Sequence, residues 1–271
     1  MALQKDSSGL PRLIGDNTSE SVELSVAYSR FGGVTNFPSG VLMLGGDDTV
    51  IGSTASDLVY GNEGEDIISG NLGNDSLLGG RGKDLIAGGD GNDSLNGGQD
   101  GDAILGDSGN DILLGGKGND FLVSGSGNDT LVGGLGRDFL AGFGENNSSI
   151  KFGGSNLYVL QAEPGVTDVN NADLIVGFRQ PFDKIGLAGG LTVNDIVLEK
   201  LTNLPITVQF EIPQAAGYLF APDQLQPRTM VTSGTALKLR NSGEFIGFVE
   251  GVTPAQLQNS ILNSIISVQG F

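Results

Sequence analysis

Aliphatic residues between positions 43 and 141 recur at every ninth residue, and this is the dominant pattern of the chain. The unit is seen in GNLGNDSLL (70–78) and GGKGNDFLV (115–123), and eleven units follow one another without an insertion. One fixed apolar position in nine is too few for an amphipathic helix or for a long alternating strand. The pattern predicts a short strand and a tight turn, repeated, with these eighth residues pointing inward: Val50, Val59, Ile68, Leu77, Ile86, Leu95, Ile104, Leu113, Leu122, Leu131 and Leu140.

The same unit predicts a stack of flat coils. Its last three residues form the strand, and the middle one faces inward because side chains alternate across a strand. Its first six residues form the turn, where Gly permits a positive φ and close approach of neighbouring backbones. Two units then complete one coil, so that two parallel sheets face each other. The predicted fold class is all-β, a parallel β-roll (β-solenoid).

The sixth residue of every unit is Asp, and stacking the coils places these carboxylates above one another. Each unit buries about one aliphatic side chain, worth about 1.5 to 3 kcal/mol. Ordering nine residues costs about 1 to 2 kcal/mol each, so burial alone does not fold the segment. A hard divalent cation between coils, bound by carboxylates and Gly-loop carbonyls, would remove both the repulsion and the deficit. The predicted metal ligands are Asp48, Asp57, Asp66, Asp75, Asp84, Asp93, Asp102, Asp111, Asp120, Asp129 and Asp138.

We predict Ca²⁺ rather than Mg²⁺, because loops rich in carbonyls offer the high, loose coordination that calcium accepts. Pairing each Asp with the Asp one coil later gives five positions on one side of the roll and four on the other, hence about nine ions. Asp129 with Asn147 would be an incomplete tenth. Ala55, Asp100 and Ser124 depart from the Gly pattern, so weaker sites are expected at the two ends.

These units resemble the G-G-x-G-x-D-x-U-x nonapeptide of RTX (repeats-in-toxin), or hemolysin-type, calcium-binding proteins. The resemblance implies a calcium-stabilised parallel β-roll in which the sixth-position Asp residues bind Ca²⁺. The run 172–198 also resembles the segment that follows the roll in secreted RTX proteins, particularly cyanobacterial ones. In that family the C-terminal region carries an uncleaved type I secretion signal, which residues 265–271 would supply.

Charge and composition exclude several functions. The formal net charge of −18 argues against nucleic acid and anionic membranes. The absence of Cys and His excludes disulfides, the usual zinc ligands and Ser-His-Asp or Cys-His catalysis. No apolar run is long enough for membrane insertion, and no signal-peptide block precedes residue 21. A carboxylate pair of the glycosidase type is the surviving catalytic alternative, but no pair stands out, so we predict that the protein is not an enzyme.

The composition changes at both ends of the repeats, which predicts three domains: an N-terminal cap strand (1–42), the calcium-binding roll (43–150) and a β-rich C-terminal cap (151–271). Residues 22–28 alternate as one half-buried strand, which either caps the first coil or is offered to another subunit. Near the C-terminus, Pro254 starts a predicted short helix with one apolar face, interpreted as core packing. The apolar face of this helix consists of Leu257, Ile261, Leu262, Ile265 and Ile266. Four acidic residues of the C-terminal region are expected only in turns or caps: Asp168, Asp173, Asp183 and Asp195.

The favoured function is a secreted or cell-surface protein that folds on Ca²⁺ outside the cell and serves as structural or matrix material. A chain kept disordered by its own charge at low calcium could pass through a secretion channel and fold where calcium is about millimolar. Self-association through terminal strands into filaments or a surface layer would follow from the open ends of the roll. The alternative is a module that binds extracellular polysaccharide or mediates adhesion.

Overall fold

The nonapeptide units form strands that are longer than the sequence predicts. A typical strand takes the last three residues of one unit and continues through the first three of the next, as in Ser76–Arg81 and Ser94–Gln99. The computed structural model describes residues 2–5, 11–24, 40–142, 154–208 and 228–265. In this part of the chain the strands make two sheets of eleven strands each.

The two sheets share the strands alternately along the repeats. In spatial order the first sheet consists of β1 (Ala2–Lys5), β2 (Pro11–Ile14), β4 (Val41–Leu42), β6 (Leu58–Glu63), β8 (Ser76–Arg81), β10 (Ser94–Gln99), β12 (Ile112–Lys117), β14 (Thr130–Leu135), β16 (Leu157–Leu160), β18 (Lys184–Leu187) and β22 (Ile261–Ile265). The second consists of β19 (Ile196–Val208), β20 (Arg228–Leu239), β21 (Phe245–Glu250), β17 (Leu174–Val176), β15 (Phe139–Ala141), β13 (Phe121–Val123), β11 (Ala103–Ser108), β9 (Leu85–Asp90), β7 (Ile67–Leu72), β5 (Thr49–Ile51) and β3 (Ser21–Glu23).

Neighbouring strands of the repeats are parallel and one coil apart. Leu95 of β10 lies opposite Leu77 of β8 on one side and Leu113 of β12 on the other. The same shift relates β7, β9 and β11 in the second sheet. The predicted parallel β-roll is therefore confirmed, with two nonapeptides in each coil.

The core lies between the sheets and is built from the eighth residues of the units. Leu77, Leu95 and Leu113 from the first sheet and Ile86 and Ile104 from the second are all 0% exposed. One continuous cluster of buried side chains runs from Leu13 to Leu257. The row of single inward aliphatic residues is thus the internal axis of the roll, as expected from the nine-residue period.

The outer face of the second sheet buries apolar residues as well, which the sequence analysis did not foresee. The seventh residues Leu85 and Ala103 are 0% exposed and pack with Ala87 and Leu105. Further along the same row, the rings of Phe121 and Phe139 stack with their centroids 5.0 Å apart. The estimate of about one buried aliphatic side chain per unit is therefore too low for this sheet, because stacking at strand spacing makes outward residues cover one another.

The N-terminal region joins both sheets. β3 continues the second sheet, with Val22 opposite Val50, and Val22 and Leu24 are buried. This fits the predicted cap strand, but Val26 and Tyr28 lie outside the described residues. β1 and β2 form an antiparallel pair at the end of the first sheet, in a stretch for which no strand was predicted.

The C-terminal region extends the same two sheets. β16 pairs in parallel with β14, and β17 pairs in parallel with β15. β19, β20 and β21 then complete the second sheet as antiparallel strands. The domain boundaries at 42/43 and 150/151 remain predictions, since the sheets run through both regions.

The predicted C-terminal helix is present but short. Helix α1 spans Pro254–Leu257, with a capping box from Thr253. Its extension across Ile261 and Ile265 is wrong, because these residues belong to β22, which pairs with β18. The β-branched side chains suit a strand, and the partner β18 supplies the hydrogen bonds. Ile266 lies outside the described residues, and no helix in the described part of the chain is long and apolar enough to cross a membrane.

Leu95→Ala tests how much the inner row of aliphatic residues contributes to stability. Removing a fully buried Leu side chain should lower the free energy of unfolding by about 2 to 5 kcal/mol. Leu72→Ala is the matched control, since Leu72 is 44% exposed and should change stability by less than about 0.5 kcal/mol. Urea unfolding of the calcium-saturated chain measures both, and equal losses would contradict the assignment of the core.

Candidate metal centres

The sixth-position Asp residues stand in two columns of turns, one at each edge of the roll. From Asp66 onwards, one carboxylate oxygen of each Asp, Oδ1, accepts a hydrogen bond from the backbone N–H of the Asp one coil earlier, as in Asp66 N to Asp84 Oδ1 at 2.9 Å. The N···Oδ1 distances in both columns lie between 2.7 and 3.0 Å. The first column, leading into the second sheet, holds Asp48, Asp66, Asp84, Asp102, Asp120 and Asp138, and the second column holds Asp57, Asp75, Asp93, Asp111 and Asp129.

The second carboxylate oxygen of most of these residues has no partner. Leaving such an atom buried without a hydrogen bond costs about 1 to 3 kcal/mol for a neutral group and more for a charged one. A row of them is therefore incompatible with a stable protein unless something else occupies the gap between coils. Buried Oδ2 atoms without a hydrogen-bond partner are found in Asp48, Asp66, Asp75, Asp84, Asp93, Asp102, Asp111, Asp120, Asp129 and Asp138.

The unpartnered oxygens face backbone carbonyls of the next coil. A Cβ placed on Gly88 would overlap Oδ2 of Asp93 and lie 2.9 Å from the carbonyl oxygen of Gly106. Gly61 stands in the same relation to Asp66 Oδ2 and the carbonyl of Gly79. The first Gly of the unit therefore keeps open a small space lined by oxygens from two successive coils. Such a space suits a cation or a proton, since it offers acceptors only.

Burial raises the pKa of these carboxyl groups well above their ordinary value of 3.8. The pKa is raised to about 6 for Asp66, about 8 for Asp84 and about 9 for Asp102. Loss of hydration is the largest cause, and repulsion from the neighbouring carboxylate of the column adds to it. Without a cation, the carboxyl groups of Asp84 and Asp102 in the folded roll thus favour the protonated form at neutral pH.

A hard, oxygen-seeking cation fits this arrangement. Within the described residues no three acidic side chains come together as a metal-binding group, so backbone carbonyls must complete any coordination shell. Calcium takes six to eight oxygen ligands and accepts carbonyls readily. The residues present therefore fit Ca²⁺ bound between two Asp residues of one column, with carbonyls of the Gly-rich turns as further ligands.

Asp57 differs from the other predicted ligands. Its Oδ2 accepts the backbone N–H of Ser53 at 2.7 Å, so no unpartnered oxygen of Asp57 faces the coil of Asp75. Glu20 and Asp183 are satisfied in the same way, by the N–H groups of Asp16 at 3.1 Å and Arg179 at 2.6 Å. The other eight predicted positions each retain an unpartnered oxygen. Asp57 remains a predicted ligand, although its second carboxylate oxygen is already satisfied by a backbone N–H group of its own turn.

Several members of the columns lie outside the repeats that the sequence analysis aligned. Glu20 takes the place of the Asp at the N-terminal end of the first column, where its N–H donates to Asp48 Oδ1 at 2.6 Å. Asn156, not Asn147, follows Asp129, with a distance of 3.2 Å from Asp129 N to Asn156 Oδ1. Asn147 itself lies outside the described residues. Asn156 could have been found from Tyr158, because an inward apolar residue follows the Asp of each unit by two positions and Tyr158 follows Asn156 by the same distance.

Two acidic residues of the C-terminal region also belong to the columns. Asp173 follows Asp138 and Asp183 follows Asn156, each as the acceptor of a backbone N–H, at 3.1 and 3.0 Å. Both were expected to be turn or capping residues. Insertions break the nine-residue frame before them, which hid their position. Asp168 and Asp195 are capping residues as predicted, since their side chains accept from Asn170 N and Thr192 N at 2.9 Å.

Comparison with known proteins agrees with this geometry. The family model described as RTX calcium-binding nonapeptide repeat matches in four copies, at residues 44–77, 69–104, 78–113 and 105–140. RTX nonapeptide repeats bind Ca²⁺, so calcium is the cation of these turns. No curated protein matches the chain. The resemblance to cyanobacterial proteins remains a prediction.

Two solved structures resemble the chain in part. One is the extracellular lipase LipA from Serratia marcescens, at 18% identity and a TM-score of 0.31 over 86% of this chain. The alignment covers 43% of the lipase, so the chain spans less than half of that protein's length. The other is the AlgE6R3 subunit of the Azotobacter vinelandii mannuronan C5-epimerase, at 14% identity and a TM-score of 0.22, covering 100% of this chain and 96% of that one.

Asp93→Asn tests the carboxylate column directly. An amide can still accept the N–H of Asp75, but it removes the negative charge facing the neighbouring coils. The calcium concentration at the folding midpoint should rise roughly tenfold or more, because loss of a charged ligand exceeds about 1.4 kcal/mol. Asp90→Asn removes the same charge from an exposed residue three positions away and should leave the midpoint nearly unchanged. Far-UV circular dichroism during calcium titration distinguishes them, and equal midpoints would refute the column as a binding site.

The raised pKa values predict that the stability of the fold changes with pH in opposite directions with and without calcium. A group whose pKa is higher in the folded state than in the unfolded chain stabilises the fold at low pH, and this stability is lost as the pH rises through the folded-state value. For Asp66, Asp84 and Asp102 the window extends from 3.8 to about 9. The calcium-free chain should therefore contain more strand structure near about pH 5 than near about pH 8.

With saturating calcium the order should reverse, because protons and Ca²⁺ compete for the same oxygens. Far-UV circular dichroism of the calcium-free chain and differential scanning calorimetry of the calcium-saturated chain, each at both pH values, measure the two trends. A calcium-free strand signal that is equal or higher at the alkaline pH would show that the buried carboxyl groups are not the source of the instability.

Proposed function

We propose that this chain, whose residues 44–140 belong to the RTX calcium-binding nonapeptide repeats, is a secreted structural protein that folds when it binds calcium outside the cell. The carrying observation is the row of ten buried carboxylate oxygens without a hydrogen-bond partner. At low calcium these groups oppose folding, and at extracellular calcium they become ligands. Folding is thereby tied to the compartment in which calcium is about millimolar.

Export fits this coupling. Proteins with RTX repeats are typically extracellular or secreted, and a chain that stays unfolded at low calcium is suited to passage through a channel. The proposed route is type I secretion with the signal in residues 265–271, most of which lie outside the described residues. The proposal loses its basis if the chain in chelator has the same strand content as in calcium.

A catalytic role has no support in the chemistry of the chain. The repeats of this family are generally not catalytic, and the chain has no His and no Cys. The four Asp residues singled out in the C-terminal region are engaged in caps, as for Asp168 and Asp195, or in the columns, as for Asp173 and Asp183. We therefore propose that calcium binding is the molecular activity and that the role is structural.

Self-association is proposed through the open edges of the sheets. In the described part of the chain, β19 has a neighbour on one side only and is 13 residues long. An edge strand of this length presents unpaired backbone groups to another chain. Val197 on this strand is 39% exposed. Pairing of β19 with β3, the strand at the other end of the same sheet, in a second copy would build filaments.

Polysaccharide binding is a second candidate, favoured by a groove beside the outer face of the second sheet. The groove has a volume of about 690 Å³ and is lined by hydroxyl, amide and carboxylate side chains, among them Ser69, Asn71, Asp90 and Asp107. Such groups can bind sugar hydroxyls, but no aromatic residue lines the groove among the residues described. Saturable binding of a soluble polysaccharide by a monomer in calcium would favour this function over assembly.

Sedimentation velocity with parallel circular dichroism tests the assembly. The calcium concentration is raised from zero, in chelator, to about 10 mM, which exceeds the dissociation constants of extracellular sites. The strand signal and large species should then appear together. Val197→Lys should keep the strand signal but sediment as a monomer, because a charge at an edge strand blocks strand addition.

Phe182→Lys is the control for this variant, since it places the same charge at a side chain that is 58% exposed in a turn. This control should assemble like the unmodified chain. A compact monomer formed by the unmodified chain in calcium would contradict self-association and would leave polysaccharide binding as the next candidate.

A further inference from the structure

The last nonapeptide of the first column does not end the column. Asp138 N donates to Asp173 Oδ1 at 3.1 Å, and Leu174 N donates to the carbonyl of Asp138 at 2.8 Å. The second bond repeats the one between Phe139 N and the carbonyl of Asp120, also at 2.8 Å. The turn that ends in Asp173 therefore lies on the last nonapeptide turn as a further coil, although 35 residues separate the two Asp residues.

This additional gap between coils contains an unsatisfied carboxylate. Asp138 is 1% exposed, and its Oδ2 has no hydrogen-bond partner. A Cβ on Gly133 would overlap this oxygen, as at the other positions of the column. Asp173 is 5% exposed, and its burial together with the neighbouring charges raises the pKa of both carboxyl groups. Two buried carboxylates thus share one gap that no nonapeptide pair accounts for.

A further carboxylate and a small cavity lie beside this gap. A cavity of about 10 Å³ is lined by Gly136, Glu163, Asn171 and Asp173, among others. Glu163 Oε1 accepts the N–H of Gly136 at 2.6 Å, and its charge raises the pKa of Asp173 further. Glu163 therefore adds negative charge beside the gap without forming a three-carboxylate group with the two Asp residues.

The second column ends in a different way, and the contrast is informative. Its next member is Asn156, whose side-chain Nδ2 donates to Ser124 Oγ at 3.1 Å. The following member, Asp183, takes the N–H of Arg179 and lies 3.4 Å from that residue's guanidinium. The second column thus continues with an amide and with a carboxylate that lies beside a guanidinium, whereas the first column adds one further carboxylate, Asp173, next to Asp138.

We propose that Asp138 and Asp173, with backbone carbonyls of the two turns, bind a further Ca²⁺ that joins the nonapeptide roll to the C-terminal region. The proposal rests on the calcium-binding function proposed above and adds a site outside the repeats. Asp173 precedes β17, and its carbonyl accepts Phe248 N at 2.8 Å. Phe245 N in turn donates to the carbonyl of Val166, in the segment between Glu163 and Asp173. A cation at this position would therefore stabilise β17 and β21 together.

Native mass spectrometry of the calcium-loaded chain counts the bound ions. Asp173→Asn should lower the maximum number by one, because an amide keeps the hydrogen bond to Asp138 N, as Asn156 does for Asp129, but lacks the charge. Asp138→Asn should lower it by two, since Asp138 faces both Asp120 and Asp173. Asp168→Asn is the control, because Asp168 is an exposed cap and Asn caps equally well. It should keep the full number.

Hydrogen exchange of the same variants provides a readout that does not depend on counting. In Asp173→Asn the amides of residues 174–176 and 245–250 should lose protection, while those of residues 76–117 keep it. An unchanged ion count in Asp173→Asn would overturn this site, even if the chain binds many calcium ions. Failure of the unmodified chain to bind calcium would instead overturn the proposed function, so the two results are distinguishable.

Discussion

Most turns of the roll bury one carboxylate oxygen that faces only hydrogen-bond acceptors and no donor, and the stability of the whole roll follows from how this oxygen is satisfied. Ten such oxygens stand in two columns, and each faces the backbone of the next coil. The buried apolar side chains, one per unit in the inner row and further ones on the outer face of the second sheet, do not neutralise this charge. A cation between coils turns this destabilising feature into the main source of cohesion, since carboxylate and carbonyl oxygens are the ligands that calcium prefers.

The Gly at the first position of the unit has a specific role in this arrangement. At Gly88 a side chain would fill the space in front of Asp93 Oδ2, so the absence of Cβ is what leaves room for the ion. The ends of the roll are built differently. The turns of Glu20, Asp57 and Asp183 close on their own backbone N–H groups, so they need no cation. We therefore expect metal dependence to be concentrated in the middle of the roll and, in the first column, to continue towards the C-terminal region.

The sequence predicts the roll well because its strands repeat at a fixed period. The inward row, the two columns and the stacking of one coil on the next all follow from nine residues counted in frame. Prediction ended where the frame is broken: Asp173 and Asp183 occupy column positions but follow insertions, and Glu20 replaces Asp in an isolated turn. Ile261 and Ile265 were assigned to a helix from their spacing, whereas the free edge of β18 places them in a strand. Long-range pairing, invisible in a local pattern, decided each of these cases.

Crystals of the calcium-loaded chain would show whether the ions lie between the coils. Anomalous difference maps measured at long wavelength should show two columns of peaks, each beside an unpartnered Oδ2, with none between Asp57 and Asp75. Carbonyl oxygens of the Gly-rich turns should surround every peak. An ordered roll whose carboxyl groups are paired by protons or water, with no anomalous peaks between the coils, would contradict calcium binding at these positions.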